Sequence, residues 1–312
     1  MTTTLTATNS AAIAAEFVRA RTRAGSPAMG MVMTVVVVVE EQDAAATLEA
    51  ARAASHEHPA RVLGVVLGSS RGAGQVDAEV TVGAGWGGEM ALLRLVGEVV
   101  KHPDSVVLPL LLPDSPVVAW WASRAPRDLA GDPLGRLAQR RITDSAAAAA
   151  QARTLQVQCA AYSPGNTDLS WTRLTPWRAL LAAALDQHPL KVTGASVAAD
   201  RGNPSADLLA AWLGQRLRVD VRRITSDGPG LTEVTLETKK GPIRISRPDG
   251  RLATFSSPGN PDRPVALRRR DVPELLAEEL RRLDEDDVYA ATARFLARGL
   301  AAKKTPTRKG KK

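Results

Sequence analysis

The sequence predicts an α/β fold: an N-terminal, mostly parallel sheet with flanking helices, then a smaller C-terminal α+β domain with an antiparallel meander. Three observations carry this. Met31 to Val39 is apolar without alternation and rich in valine, the pattern of a strand covered on both faces. The alanine-rich stretch Asp43 to Ser55 and the apolar run Arg61 to Leu67 follow it and complete a βαβ unit. Far downstream, Leu231 to Thr238 sets Thr232, Val234 and Leu236 against Glu233, Thr235 and Glu237, as a half-exposed antiparallel strand would. The expected boundaries are an N-terminal tail and helix over 1–28, an α/β domain over 29–189, an α+β domain over 190–300 and a basic disordered tail over 301–312.

In order, Met1 to Asn9 reads as disordered, and Ser10 as the cap of a helix to about Arg23 with Ile13 and Phe17 one turn apart. His56-Glu-His-Pro59 ends the crossover helix. Its histidines suit a helix C-terminus better than a metal, because no further ligand cluster is visible. Asp77 to Val82 and Met90 to Val96 read as two strands joined by Gly83-Ala-Gly-Trp-Gly-Gly88. The glycine spacing G-x-G-x-x-G fits a dinucleotide loop, but a strand follows where that motif needs a helix, so a hairpin is expected.

Asp104 to Leu112, interrupted by Pro109, predicts a short, wholly buried helical segment. Val117 to Trp121 is a second buried strand, on which Trp120 and Trp121 must point to opposite faces. Arg140-Arg-Ile-Thr-Asp144 predicts another strand, and Ala146 to Ala160 a helix. In the C-terminal part, Lys191 to Ala198 and Val219 to Ile224 flank a helix capped by Asn203-Pro204, a further βαβ unit. Gly241-Pro242 and Pro248-Asp-Gly250 punctuate short strands beyond Leu231 to Thr238, and Val265 to Leu267 adds one. The Gly230 loop opens a strand with no P-loop lysine after it. Arg268-Arg-Arg270 reads as a solvated face, and Asp271-x-x-Glu274 as a capping box for a helix to Leu283. Val288 to Leu300 is a terminal helix.

Composition narrows the function classes. The 312 residues carry a formal charge of +8, but Lys303, Lys304, Arg308, Lys309, Lys311 and Lys312 leave only +2 for the rest. The basicity is therefore a tail suited to weak contacts with polyanions, and no specific nucleic-acid partner is expected. One cysteine, Cys159, excludes an intramolecular disulfide, and with four histidines it builds no recognised metal cluster. The longest apolar runs fall short of the roughly 18 residues that span a bilayer. The N-terminus lacks the positive region of a signal peptide, so a cytoplasmic protein without a membrane partner is expected. Gly194-Ala-Ser196 lacks the second glycine of a nucleophile elbow, and no other catalytic arrangement is recognisable. Neither a catalytic role nor a cofactor is expected.

The most distinctive stretch is Asp168-Leu-Ser-Trp-Thr-Arg-Leu-Thr-Pro-Trp-Arg178, which opens a helix with two tryptophans and two arginines. Thr175 reads as its cap and Pro176 as its first position. Trp177, Leu180, Leu181, Ala184 and Leu185 form its apolar face, and His188-Pro189 ends it. Asp168 is placed to cap the turn bearing Trp171 and Arg173, so two indoles and two guanidiniums crowd one helix N-terminus. Such a cluster is either core with arginines stacked on it or a binding hot spot, where Trp and Arg are enriched.

The stretch resembles the D-L-x-W-x-R-L-x-x-W-R signature of the OpcA family, the glucose-6-phosphate dehydrogenase assembly proteins. Ser105 to Trp121, Arg140 to Asp144 and Ser205 to Leu213 resemble further family segments in the same order, from about Met29 to Arg282. The resemblance implies a non-catalytic assembly factor or allosteric activator whose partner is oligomeric glucose-6-phosphate dehydrogenase, the NADP-reducing entry to the oxidative pentose phosphate route. The candidate partner-binding residues are Asp168, Trp171, Arg173, Trp177 and Arg178, with Trp120 or Trp121 nearby. The lone Cys159 departs from any paired-thiol switch within one chain. The alternative is a sugar-phosphate or nucleotide sensor using a sheet edge near the glycine-rich loops.

Overall fold

The computed structural model describes residues 2–25, 30–83, 88–187 and 189–304. The chain runs β1 (Thr2–Leu5), α1 (Ser10–Ala24), β2 (Met33–Val39), α2 (Ala44–Ala54), β3 (Ala60–Leu67), β4 (Gln75–Val82), β5 (Glu89–Val96), α3 (Pro103–Val107), β6 (Val117–Trp121) and β7 (Arg140–Thr143). It continues α4 (Gln151–Ala160), β8 (Asn166–Asp168), α5 (Leu169–Thr172), α6 (Thr175–Gln187), β9 (Val192–Ala199), α7 (Pro204–Leu217) and β10 (Val221–Thr225). The last elements are β11 (Leu231–Thr238), β12 (Ile243–Ser246), β13 (Leu252–Ser256), β14 (Arg263–Ala266), α8 (Val272–Leu280) and α9 (Asp287–Lys304).

Two compact units result. The first takes in the described residues of Met1–Asp144, Ser163–Thr167 and Asp271–Glu285, and the second those of Ser145–Tyr162, Asp168–Arg270 and Asp286–Lys312. The Trp/Arg stretch, expected in the N-terminal domain, belongs to the second unit, because Trp171, Trp177 and Leu181 pack into the same core as Val197, Leu209 and Val234.

The first unit is built on an eight-stranded sheet ordered β1-β4-β5-β3-β2-β6-β7-β8. β2 lies between β3 and β6, parallel to both, with Val35 opposite Val62 and Val118. All seven of its residues are buried, as an unalternating valine run requires when both faces are covered. The N-terminal residues form a strand where disorder was expected. β1 pairs antiparallel with β4, Thr3 opposite Val80, and the Ala7 N–H donates to Asp77 Oδ1 at 2.8 Å. Its threonines favour a pleated edge, a local preference outweighed in the sequence by the polarity of the segment.

α1 is capped by Asn9, whose side chain accepts from Ala12, one residue before the expected Ser10. Gly25 closes the helix at φ 58°, in the left-handed region. Buried Glu89 at the start of β5 is held by Arg21 at 2.7 Å and by Arg61 Nε at 2.5 Å. The segment around α3 is helical as expected but not wholly buried, since Leu108 is 56% exposed in the 3₁₀ turn that follows. β4 and β5 form the expected antiparallel hairpin, Val82 opposite Glu89. Residues 84–87 of its glycine-rich loop lie outside the described residues, as do His188 and 305–312. Asp271 and Glu274 make the expected capping box of α8, which packs on α2, and α8's C-cap residue Arg281 pairs with Glu57 at 2.7 Å. Arg140 in β7 pairs with Glu279 of α8 at 2.5 Å.

The second unit carries a six-stranded sheet ordered β10-β9-β11-β12-β13-β14. β9 and β10 are parallel across α7, and the remaining pairings are antiparallel. β11 is more buried than its alternation predicts. It lies inside the sheet between β9 and β12, so Thr235, which the alternation set on the exposed face, is buried as Thr232 is, the latter's Oγ1 sharing a hydrogen bond with Ser226 Oγ at 2.7 Å. α4 starts at Gln151, not Ala146, because residues 146–150 form turns, with Gln151 Nε2 donating to the Ala146 carbonyl at 2.8 Å. α9 continues to Lys304, four residues beyond the expected end.

Candidate functional site

The Trp/Arg stretch begins at Asp168, which is fully buried and works as a hub. Its carboxylate accepts from the Ser170 N–H at 2.8 Å, capping the single turn α5, and from Ser145 Oγ at 2.6 Å. The capped turn delivers Trp171 into the core of the second unit. There the indole N–H donates to Asp286 Oδ2 at 2.8 Å, and the ring meets Tyr289 at 5.8 Å between centroids. Arg178, on α6, lays its guanidinium over the Trp171 ring, 3.8 Å from the centroid. Ser205 on α7 donates to the Ser170 carbonyl at 2.9 Å, and Arg270 donates to the Thr172 carbonyl, so two further elements hold α5.

Trp171 and Trp177 are 1% and 2% exposed, which makes the indoles core and leaves Arg173 and Arg178, both half-buried, at the edge. Trp120 and Trp121 lie in β6 of the first unit, each 2% exposed. Both faces of that strand are covered, so neither indole offers area to a cleft. Cys159 is buried in the core that holds Trp171. Burial, then the nearby charges of Asp168 and Asp207, push its thiol far up from the ordinary range.

Beside the cluster, within the second unit, is a cavity of about 160 Å³. Arg173 and Trp177 line it, together with Arg247, Arg268, Arg269 and Arg270. Arg247 follows β12 and is 5% exposed. Its Nη1 donates to the Leu267 carbonyl at 2.6 Å and its Nη2 to the Leu231 carbonyl at 3.1 Å. Its Cζ lies 5.0 Å from the Trp177 centroid. Burial, then the charge of Arg269, bring its pKa down to about 10. The arginine run 268–270, expected as a solvated face, therefore contributes to a concave basic site. Sequence reasoning missed Arg247 altogether: a lone arginine at a strand end carries no pattern, and the convergence needs the β12–β13 turn to bring it beneath the run.

A second cavity, of about 380 Å³, lies in the first unit at the carboxyl ends of β2 and β3 and next to the residues following β6. In a doubly wound sheet this switch point is where nucleotides bind, with a glycine-rich turn presenting N–H groups to the diphosphate. Here the turn after β2 reads Glu40-Glu41-Gln42-Asp43 and leads directly into α2. This turn has no glycine to bring backbone N–H groups against a diphosphate, and its Glu41 is paired with Arg94 at 2.9 Å while Arg124 lines the same cavity. Among the described residues no group of three His, Cys, Asp or Glu is arranged to hold a metal, and no helix is long and apolar enough to cross a membrane.

Residues 51–160 match the family described as glucose-6-phosphate dehydrogenase subunit N-terminal domain, and residues 164–293 match the C-terminal domain of the same subunit. No curated protein matches the sequence. Among solved structures, the chain is similar to an NAD binding oxidoreductase from Klebsiella pneumoniae at 10% identity and a TM-score of 0.44, covering 87% of this chain and 96% of that one. It is also similar to an oxidoreductase from Sinorhizobium meliloti at 12% identity and a TM-score of 0.40, covering 88% and 90%. Overlap this loose carries nothing about activity.

Proposed function

Since the chain belongs to the OpcA family of glucose-6-phosphate dehydrogenase assembly proteins, we propose that it binds the oligomeric dehydrogenase and raises its activity without chemistry of its own. The observation that carries this reading is the match of both subunit domains, in order, across residues 51–293. The turn after β2 supports the non-catalytic part, because it lacks the glycines with which a dinucleotide loop approaches a diphosphate.

The mechanism is preferential binding to the active oligomer. A ligand that binds two states equally shifts nothing, whereas moving a population from 1:99 to 99:1 takes about 10⁴-fold tighter binding to the favoured state, about 5.5 kcal/mol. The seven-residue surface expected from sequence narrows to its arginines. Arg173 and Arg178 reach the edge of the cluster, while Asp168, Trp171 and Trp177 hold them there and Trp120 and Trp121 are enclosed in β6. The setting is cytoplasmic, at the entry to the oxidative pentose phosphate route.

The test is a titration of this protein into the dehydrogenase of the same organism, following rate against glucose 6-phosphate and complex mass together. A mixed complex with a raised kcat or lowered KM supports the reading. Failure to associate at micromolar concentrations, or turnover of glucose 6-phosphate by this chain alone, overturns it.

A further inference from the structure

We propose that the arginine cavity of the second unit is a binding site for a small phosphorylated metabolite, whose phosphate monoester is held by Arg247 and Arg269. The guanidinium of Arg247 is buried, yet its hydrogen-bond partners are neutral carbonyls and its Nε has no partner among the described residues. Among these residues no carboxylate forms an ion pair with it. A buried cation without an ion-paired carboxylate is costly, and here the largest charged influence is a second cation, Arg269, which outweighs the opposing charge of Asp249. Arg269 itself makes no hydrogen bond or ion pair among the described residues. Arg269 is exposed and lines the cavity, so its guanidinium is available to a ligand that Arg247 meets from below.

The wall around the pair is built for an anion. Asp200 is the one carboxylate among the lining residues described, and it is engaged by Asn203 Nδ2 at 2.7 Å instead of by an arginine. Asn203 caps α7, so a fourteen-residue helix starts at the cavity with its positive end there. Gly250, at φ 74°, lets the turn after β12 pass under Arg269: a Cβ there would stand 3.1 Å from Pro229 Cγ and 3.3 Å from Arg269 Cδ. A phosphate monoester brings nearly two negative charges and several acceptors to these planar forks, where a carboxylate brings one charge and two oxygens. The cavity's small volume fits the phosphate group, with the neutral part of the metabolite toward the opening.

The site does not depend on the dehydrogenase, so it is tested on the full chain alone. Calorimetric titrations at fixed ionic strength would use inorganic phosphate and glucose 6-phosphate, with acetate and glucose as controls. Saturable binding of both phosphates, with neither control binding, is expected. Arg269→Ala, at an exposed position, should keep the circular dichroism of the wild type and weaken phosphate binding at least ten-fold, and Arg247→Lys should weaken it too. No phosphate binding at low millimolar concentration overturns the proposal. So does acetate binding as tightly as phosphate, or unchanged affinity in a folded Arg269→Ala variant.

Discussion

The guanidinium of Arg178 lies 3.8 Å from the centre of the Trp171 indole, whose N–H is bonded to Asp286. Trp171 thus joins α5 and the adjacent α6 to the start of α9, over a hundred residues away. Replacing it with alanine removes the stacking surface, the hydrogen bond and a buried ring together. The expected loss is about 3–5 kcal/mol. Trp171→Phe keeps a ring under Arg178 and should lose less, and urea unfolding of the two variants measures the difference.

The same stacking orients Arg178 for the proposed contact with the dehydrogenase. Arg178→Ala uncovers one part of Trp171 and should cost about 1 kcal/mol of stability, while weakening association by about 2 kcal/mol. Sedimentation of the mixed proteins reads the loss directly. Unchanged complex formation by the folded variant would move the interface elsewhere.

Arg140 and Glu279 form an ion pair at 2.5 Å with side chains 3% and 7% exposed, and Arg140 Nη1 also donates to the Asp284 carbonyl at 2.9 Å. Removing one partner strands a charge away from water. Glu279→Ala should destabilise the first unit by about 3–5 kcal/mol. A double variant with Arg140→Met and Glu279→Leu should recover much of that loss, because no charge is left buried. Thermal unfolding of the three proteins provides the check.

Cys159 sits in the core of the second unit with its thiol held protonated by burial. A thiol-specific colorimetric reagent should leave the native protein unmodified at neutral pH and titrate one equivalent in denaturant. An intermolecular disulfide through this residue would need the core to open, so oxidised samples should run as monomers on a non-reducing gel.

What the sequence made legible follows from how local each signal is. The valine run of β2, the Asn203-Pro204 cap and the Asp271/Glu274 box act over a few residues, and each element is present where its pattern put it, although β2 begins at Met33 and α8 stops at Leu280, short of the expected Leu283. β1 was missed because its stability comes from pairing with β4, over seventy residues away, and not from its own polar sequence. The tryptophans were legible as a cluster, but their burial was not. Exposure depends on what covers a ring, and Trp171 is covered by Tyr289 and Arg178 from other elements. The basic cavity was invisible for the same reason. Arg247 and Arg269 are twenty-two positions apart and meet only because β13 and β14 fold the chain back between them.

Glu16 on α1 is buried, held by Arg23 and by Arg19 at 2.9 Å. The hydrogen bond from Arg23 is the largest influence on its carboxyl and that from Arg19 adds to it; burial opposes them, and the pKa falls from 4.5 to about 2. A carboxyl whose folded pKa is depressed contributes its full stability above the unfolded value, and that contribution is lost as pH falls through the folded value. Wild type should therefore exceed Glu16→Gln in melting temperature by a constant margin above about pH 5. The margin should shrink between pH 4.5 and 2 and close near pH 2. A margin that stays constant across this range would mean that Glu16 stabilises α1 by packing and not by its charge.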